Sequence, residues 1–270
     1  MSEAVKLDYR QADGTRVTTR LDRVRVDELV TSRPVREFRA YQGRKHYSGW
    51  YWSSTMQDQV VYESLLEKNR IMLADFEDTV TSIVAQPFQL TGQDGTVERR
   101  HIPDLLLVSA SGVVTVVDVK PARRLADPTV AAVFAWTEQV VASRGWLFEV
   151  WTGADAGLLA NVRWLAGYRR RAVIQTSLLP AAMELADKHR TLGELEAALT
   201  AQLCTELTSA DPDVDAYDSA VIKQRCRDFV RPVVMHLLWT RQLRAPLDLP
   251  LQATTPIAPR PVPPAAAIRR

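Results

Sequence analysis

Three charged side chains stand where the hydrophobic pattern calls for valine. The segment from His101 to Pro121 reads HIPDLLLVSASGVVTVVDVKP, with Asp104 heading one apolar run and Asp118 and Lys120 closing the next. Strand side chains alternate faces, so Asp118 and Lys120 share a face with Val114 and Val116, and Val113, Val117 and Val119 take the other. Apolar residues on both faces mark a central, covered strand. SASG between the runs reads as a hairpin turn, which would bring Asp104 near the other two charges. Two carboxylates with one focus repel unless a cation lies between them or one is protonated. A few hard oxygen ligands with open positions suit Mg²⁺ or Mn²⁺. Such an ion polarises a phosphodiester and lowers the pKa of the attacking water, while Lys120 orients that water or offsets charge building on the phosphate. The chemistry expected is metal-assisted phosphodiester hydrolysis. An Asp–Lys ion pair at a strand end is the structural alternative.

A helical pattern upstream of the hairpin carries two further acids. MQDQVVYESLLEKNRIML carries Val61, Tyr62, Leu65, Leu66 and Asn69 or Leu73 on one side at helical spacing. Glu63 falls on the shoulder of that stripe and ranks first; Glu67, one turn on, is the competing choice further toward solvent. TVTSIVAQPFQL reads as a strand bent at Pro87, and RRHIPDLLLV and GVVTVVDVK as the hairpin. TVAAVFAWTEQVVASRG reads as a helix ending at Gly145, and WLFEVWTG as a further strand. Helix, three strands, helix, strand is an α/β arrangement around a mixed sheet.

The 270 residues suffice for one large or two modest domains with a real core, and 46% hydrophobic with 24% charged is ordinary for a globular chain. Four zones are expected: a basic N-terminal arm (1–54), the α/β domain (55–165), a mostly helical domain (166–250) and a disordered Pro/Ala tail (251–270). Cys204 and Cys226 form no CxxC pair, and the four histidines show no ligand spacing, which argues against a zinc site. With no apolar leader and no run of 18 apolar residues, a soluble cytoplasmic protein with no membrane partner is expected.

Arg99, Arg100, Arg123 and Arg124 bracket the proposed site and are suited to holding a phosphate backbone, or serve as surface charge. Trp50, Tyr51 and Trp52 either stack on bases or pack in a core. Thr191 and Glu194 form a T-x-x-E capping box. Pro232 stands at a plausible first helical position, with Val234, Leu237, Leu238 and Leu243 as an apolar face. DLPLQATTPI after it reads as a wing, so a winged helix is expected for this region.

The order YESLLE, IVAQPFQL, RRHIPDLLLV, VVDVKPARRL, with PD and DVK thirteen residues apart, resembles the TnsA-type endonucleases of heteromeric transposases, within the PD-(D/E)xK nucleases. The resemblance covers about Trp50 to Trp151. It implies a restriction-endonuclease-like mixed-sheet core with a winged-helix C-terminal domain. It further implies cleavage of double-stranded DNA at transposon 5′ ends, with an integrase-type transposase subunit and an ATPase regulator as partners. Carried over by motif, Glu63, Asp104 and Asp118 would hold Mg²⁺ or Mn²⁺ with the Val119 carbonyl, and Lys120 would be the catalytic lysine. Asp118 stands where the best-known members carry Gln. A stand-alone nuclease of the same fold and a non-catalytic DNA-binding regulator are the other readings.

Overall fold

A computed structural model describes residues 5–36, 47–210 and 219–261. The chain divides into two compact units, residues 1–154 and 155–270. It is a mixed α/β protein.

The first unit opens with a hairpin of β1 (Lys6–Arg10) and β2 (Arg16–Arg20) and a short helix, α1 (Val26–Val30). Leu7 and Tyr9 alternate inward along β1 and are buried. A second hairpin joins β3 (Gly49–Ser53) and β4 (Asp58–Tyr62), ahead of helix α2 (Leu65–Phe76). Then come β5 (Val80–Ala85), β6 (Gln89–Asp94), β7 (Val97–His101), β8 (Leu105–Ser109) and β9 (Val114–Val119). Helix α3 (Pro128–Ala142) and β10 (Leu147–Trp151) complete the unit.

Two four-stranded sheets result, ordered β2-β1-β6-β7 and β10-β9-β8-β5. The second is mixed: β8 pairs antiparallel with both β5 and β9, and β10 joins β9 in parallel across α3. One apolar core collects Leu7 and Leu90 from the first sheet, Leu106, Val114 and Val116 from the second, and Trp136 and Val141 from α3. Five strands, where three were expected, lie between the helices α2 and α3 ahead of β10, and β9 is central and buried on both faces.

Three expectations about the first unit are corrected. Residues 5–36 are not an arm, because β1 pairs with β6 and Leu7, Tyr9 and Leu29 enter the common core. Val61 and Tyr62 belong to strand β4, and the helix starts only at Leu65, where Ser64 caps it. TVTSIVAQPFQL is two strands in different sheets, broken at Gln86 and Pro87, and RRHIPDLLLV is likewise split between β7 and β8.

In the second unit, α4 (Ala156–Leu165) and α5 (Leu179–Ala186) precede two long helices, α6 (Leu192–Ala210) and α7 (Ser219–Trp239). The Thr191–Glu194 box is present: Glu194 N–H donates to Thr191 Oγ1 at 3.3 Å, and Thr191 N–H to Glu194 Oε2 at 3.1 Å. Pro232 does not start a helix but lies inside α7. The buried row Cys226, Val230, Val233, Val234 and Leu237 holds the helix through it, tertiary packing outweighing the lost backbone bond.

Strands β11 (Leu243–Arg244) and β12 (Ala258–Pro259) pair antiparallel, and the segment between them runs across α4. It packs so tightly on α4 that a Cβ on Gly157 would lie 2.1 Å from the Asp248 carbonyl, and Asn161 Nδ2 donates to the Leu247 and Leu249 carbonyls. The tail therefore remains part of the fold to β12, where Ile257 is buried; residues 262–270 lie outside the described residues. No helix among the described residues is long and apolar enough to cross a membrane.

Candidate active site

The two charged strand ends meet as the hairpin predicts. Leu105 pairs with Val117 in register, so Asp104 lies just before β8 where β9 delivers Asp118. Asp104 Oδ2 accepts the Val119 N–H at 2.7 Å, which clamps the carboxylate against the end of β9. Its main-chain carbonyl accepts the Gln86 N–H at 2.9 Å. Asp118 is buried, its side chain 2% exposed, on the face that continues from Val114 and Val116 into the core.

The electrostatics show how crowded this spot is. Burial, and next the Asp118 carboxylate, push Asp104 from 3.8 up to about 7. The Val119 N–H pulls it back, Glu67 adds to the rise and Lys120 opposes it. The structure thus brings Asp104, Asp118 and Lys120 together, and Glu67 with them.

Glu67, not Glu63, is the helix acid that acts on Asp104. It sits in the first turn of α2 in a capping box: Ser64 Oγ accepts the Glu67 N–H at 3.1 Å and donates to Glu67 Oε1 at 2.9 Å, and Glu67 Oε2 accepts the Glu63 N–H at 2.8 Å. Burial lifts its pKa above the usual carboxylate range, against the pull of those donors and of Lys120. Glu63 precedes the helix and pairs with Arg36 at 3.5 Å. The stripe argument that favoured Glu63 fails because residues 58–62 are a strand, so helical spacing does not apply across them.

Sequence reasoning missed two residues. His101 Nε2 lies 2.8 Å from Asp118 Oδ2. Gln86 is 3% exposed, adopts a left-handed backbone (φ 46°) and buries an Oε1 with no hydrogen-bond partner among the described residues. A non-glycine residue held there stores about 1–3 kcal/mol, and two backbone bonds enforce it, to the Asp104 carbonyl and from the Val35 N–H. The signal for His101 was its place three residues before Asp104.

The four arginines differ in availability. Arg99 is bound to Asp94 at 2.6 Å with its side chain 18% exposed, and Arg100 pairs with Glu98 at the surface. Arg123 and Arg124 lie in an exposed single turn after β9, Arg124 3.8 Å from Asp127. Of the aromatic trio, Tyr51 is core, donating to Asp75, while Trp50 is exposed.

Among the described residues, no group of three or more His, Cys, Asp and Glu is placed to hold a metal ion. The donor set still fits a hard divalent cation in kind. Asp104 and Asp118 each commit one oxygen, to the Val119 N–H and to His101, and the second oxygen of each has no partner among the described residues. Their mutual repulsion is what a cation would relieve. No family model and no curated protein matches the chain.

Proposed function

We propose that the chain is a metal-dependent DNA endonuclease with a restriction-endonuclease-like core, cutting phosphodiesters at transposon 5′ ends within a heteromeric transposase. The observation that carries the hydrolytic part is the juxtaposition of Asp104 and Asp118 at adjacent strand ends, under the field of Lys120. The transposon, the integrase-type partner, the ATPase regulator and a winged-helix role for the second unit rest on the resemblance of YESLLE, QPF, IPDLLLV and DVKP.

Asp104 and Asp118 would hold Mg²⁺ or Mn²⁺ through their uncommitted oxygens, with the Val119 carbonyl as a further donor. The chemistry such an ion supplies is polarisation of the phosphodiester and acidification of the attacking water. Lys120 offsets charge at the phosphate and orients the nucleophile. Glu67, rather than Glu63, adds negative field from α2, its own oxygens held in the capping box. Arg123 and Arg124, exposed just after β9, hold the DNA backbone.

Asp104→Ala and Asp118→Ala should each abolish Mg²⁺-dependent cleavage of end-bearing duplex DNA, assayed with the integrase-type partner present, while DNA binding persists. Full cleavage by either variant, or wild-type DNA binding without cleavage at any Mg²⁺ or Mn²⁺ concentration, overturns the proposal.

A further inference from the structure

A two-carboxylate site has no evident use for an imidazole, yet His101 is the side-chain partner of the more deeply buried acid. A carboxylate can only accept, so with Asp118 ionised the 2.8 Å contact is donated by His101 Nε2–H. The Asp118 carboxylate has no other hydrogen-bond partner among the described residues, and an ionised group this buried needs a donor.

The imidazole itself is held from two further sides. Its backbone pairs with Leu90 in the β6–β7 hairpin. Its ring meets Phe134 of α3 edge-on, with centroids 6.2 Å apart at 68°, and Phe134 in turn meets Phe148 of β10 at 5.9 Å. Only 15% of the His101 side chain is exposed. Because β7 and β9 lie in different sheets, the contact ties the position of the Asp118 carboxylate to the opposite sheet.

We propose that His101 is a positioning residue for Asp118: by occupying Oδ2 it fixes the carboxylate plane and leaves Oδ1 as the one oxygen offered to a divalent cation. The inference rests on the metal-dependent reading above. Outer partners of ligating groups contribute about 10–100-fold to metal affinity.

Mn²⁺ binding to the full chain, measured by electron paramagnetic resonance, tests this without reference to cleavage. His101→Ala should weaken binding by about tenfold or more, with circular dichroism unchanged. His101→Gln, whose amide nitrogen can take the place of Nε2, should restore most of the loss. If the alanine variant does not fold, His101→Asn, whose amide is too short to reach Oδ2, takes its place in the comparison. Pulsed spectra of the wild type should show no nitrogen coupling to Mn²⁺, since His101 acts through Asp118. Wild-type affinity in the truncated variant, no rescue by glutamine, or a nitrogen coupling that reports direct ligation would each overturn the inference alone. A wild-type chain that binds no Mn²⁺ overturns the metal-dependent reading and this inference together.

Discussion

Replacing Asp104 by asparagine removes a charge and keeps the shape, with an amide oxygen still able to accept the Val119 N–H. Asp104 has its pKa raised from 3.8 to about 7 in the fold, chiefly by burial and next by Asp118. In the window between those values the native state keeps a proton that the unfolded chain releases, so stability falls as pH rises from about 4 to 7 and then levels. The full span corresponds to on the order of 4 kcal/mol, of which on the order of 3 kcal/mol falls between pH 5 and pH 8. A neutral amide at this position carries no such cost. The stability advantage of Asp104→Asn over wild type should therefore grow by that amount between the two pH values, seen as a gap in Tm that widens by about 6–12 °C. Mg²⁺ at pH 8 should narrow the gap, because a cation bound to the ionised site stabilises only the wild type. Matched thermal unfolding at pH 5 and pH 8 is the assay. Parallel Tm profiles for the two proteins would refute the claim that Asp104 is a crowded, destabilised charge.

Other sites give sharp outcomes. Asp75 is buried and accepts from Tyr51 Oη, Ser53 Oγ and the Ser54 and Thr55 N–H groups, tying the β3–β4 hairpin to α2. Asp75→Ala should cost about 3 kcal/mol by stranding those donors, with Asp75→Asn milder, in urea denaturation. Cys226 is buried 2.8 Å from Cys204, and burial and the neighbouring thiol push it up to about 12. Iodoacetamide at pH 8 should therefore leave Cys226 unmodified in the native chain and alkylate it only after unfolding, read by mass spectrometry.

The part of the fold legible in the sequence is the part whose pattern was unambiguous. Five valines on both faces of VVTVVDV placed β9 at the centre, and SASG placed the turn that brings Asp104 to Asp118. Two hairpins escaped notice although each has an Asp-Gly pair at its turn, Asp13-Gly14 within one loop and Asp94-Gly95 entering the other, with both glycines at positive φ. The helix boundary failed for a physical reason: Val61 and Tyr62 suit strand and helix alike, and Ser64-x-x-Glu67 was the better start signal. Reading that box would have turned attention from Glu63 to Glu67. His101 stands three residues before Asp104, but its contact with Asp118 spans two sheets, and strand periodicity says nothing about how sheets face each other. Pro232 misled because local propensity lost to the packed face of α7.

The most direct test is a crystal of the chain soaked in Mn²⁺ and measured for anomalous scattering. The account predicts a peak between the uncommitted oxygens of Asp104 and Asp118, at about 2.0–2.4 Å from each. A map with the two carboxyl groups well ordered and no peak between them, or with Mn²⁺ bound only elsewhere, would contradict it.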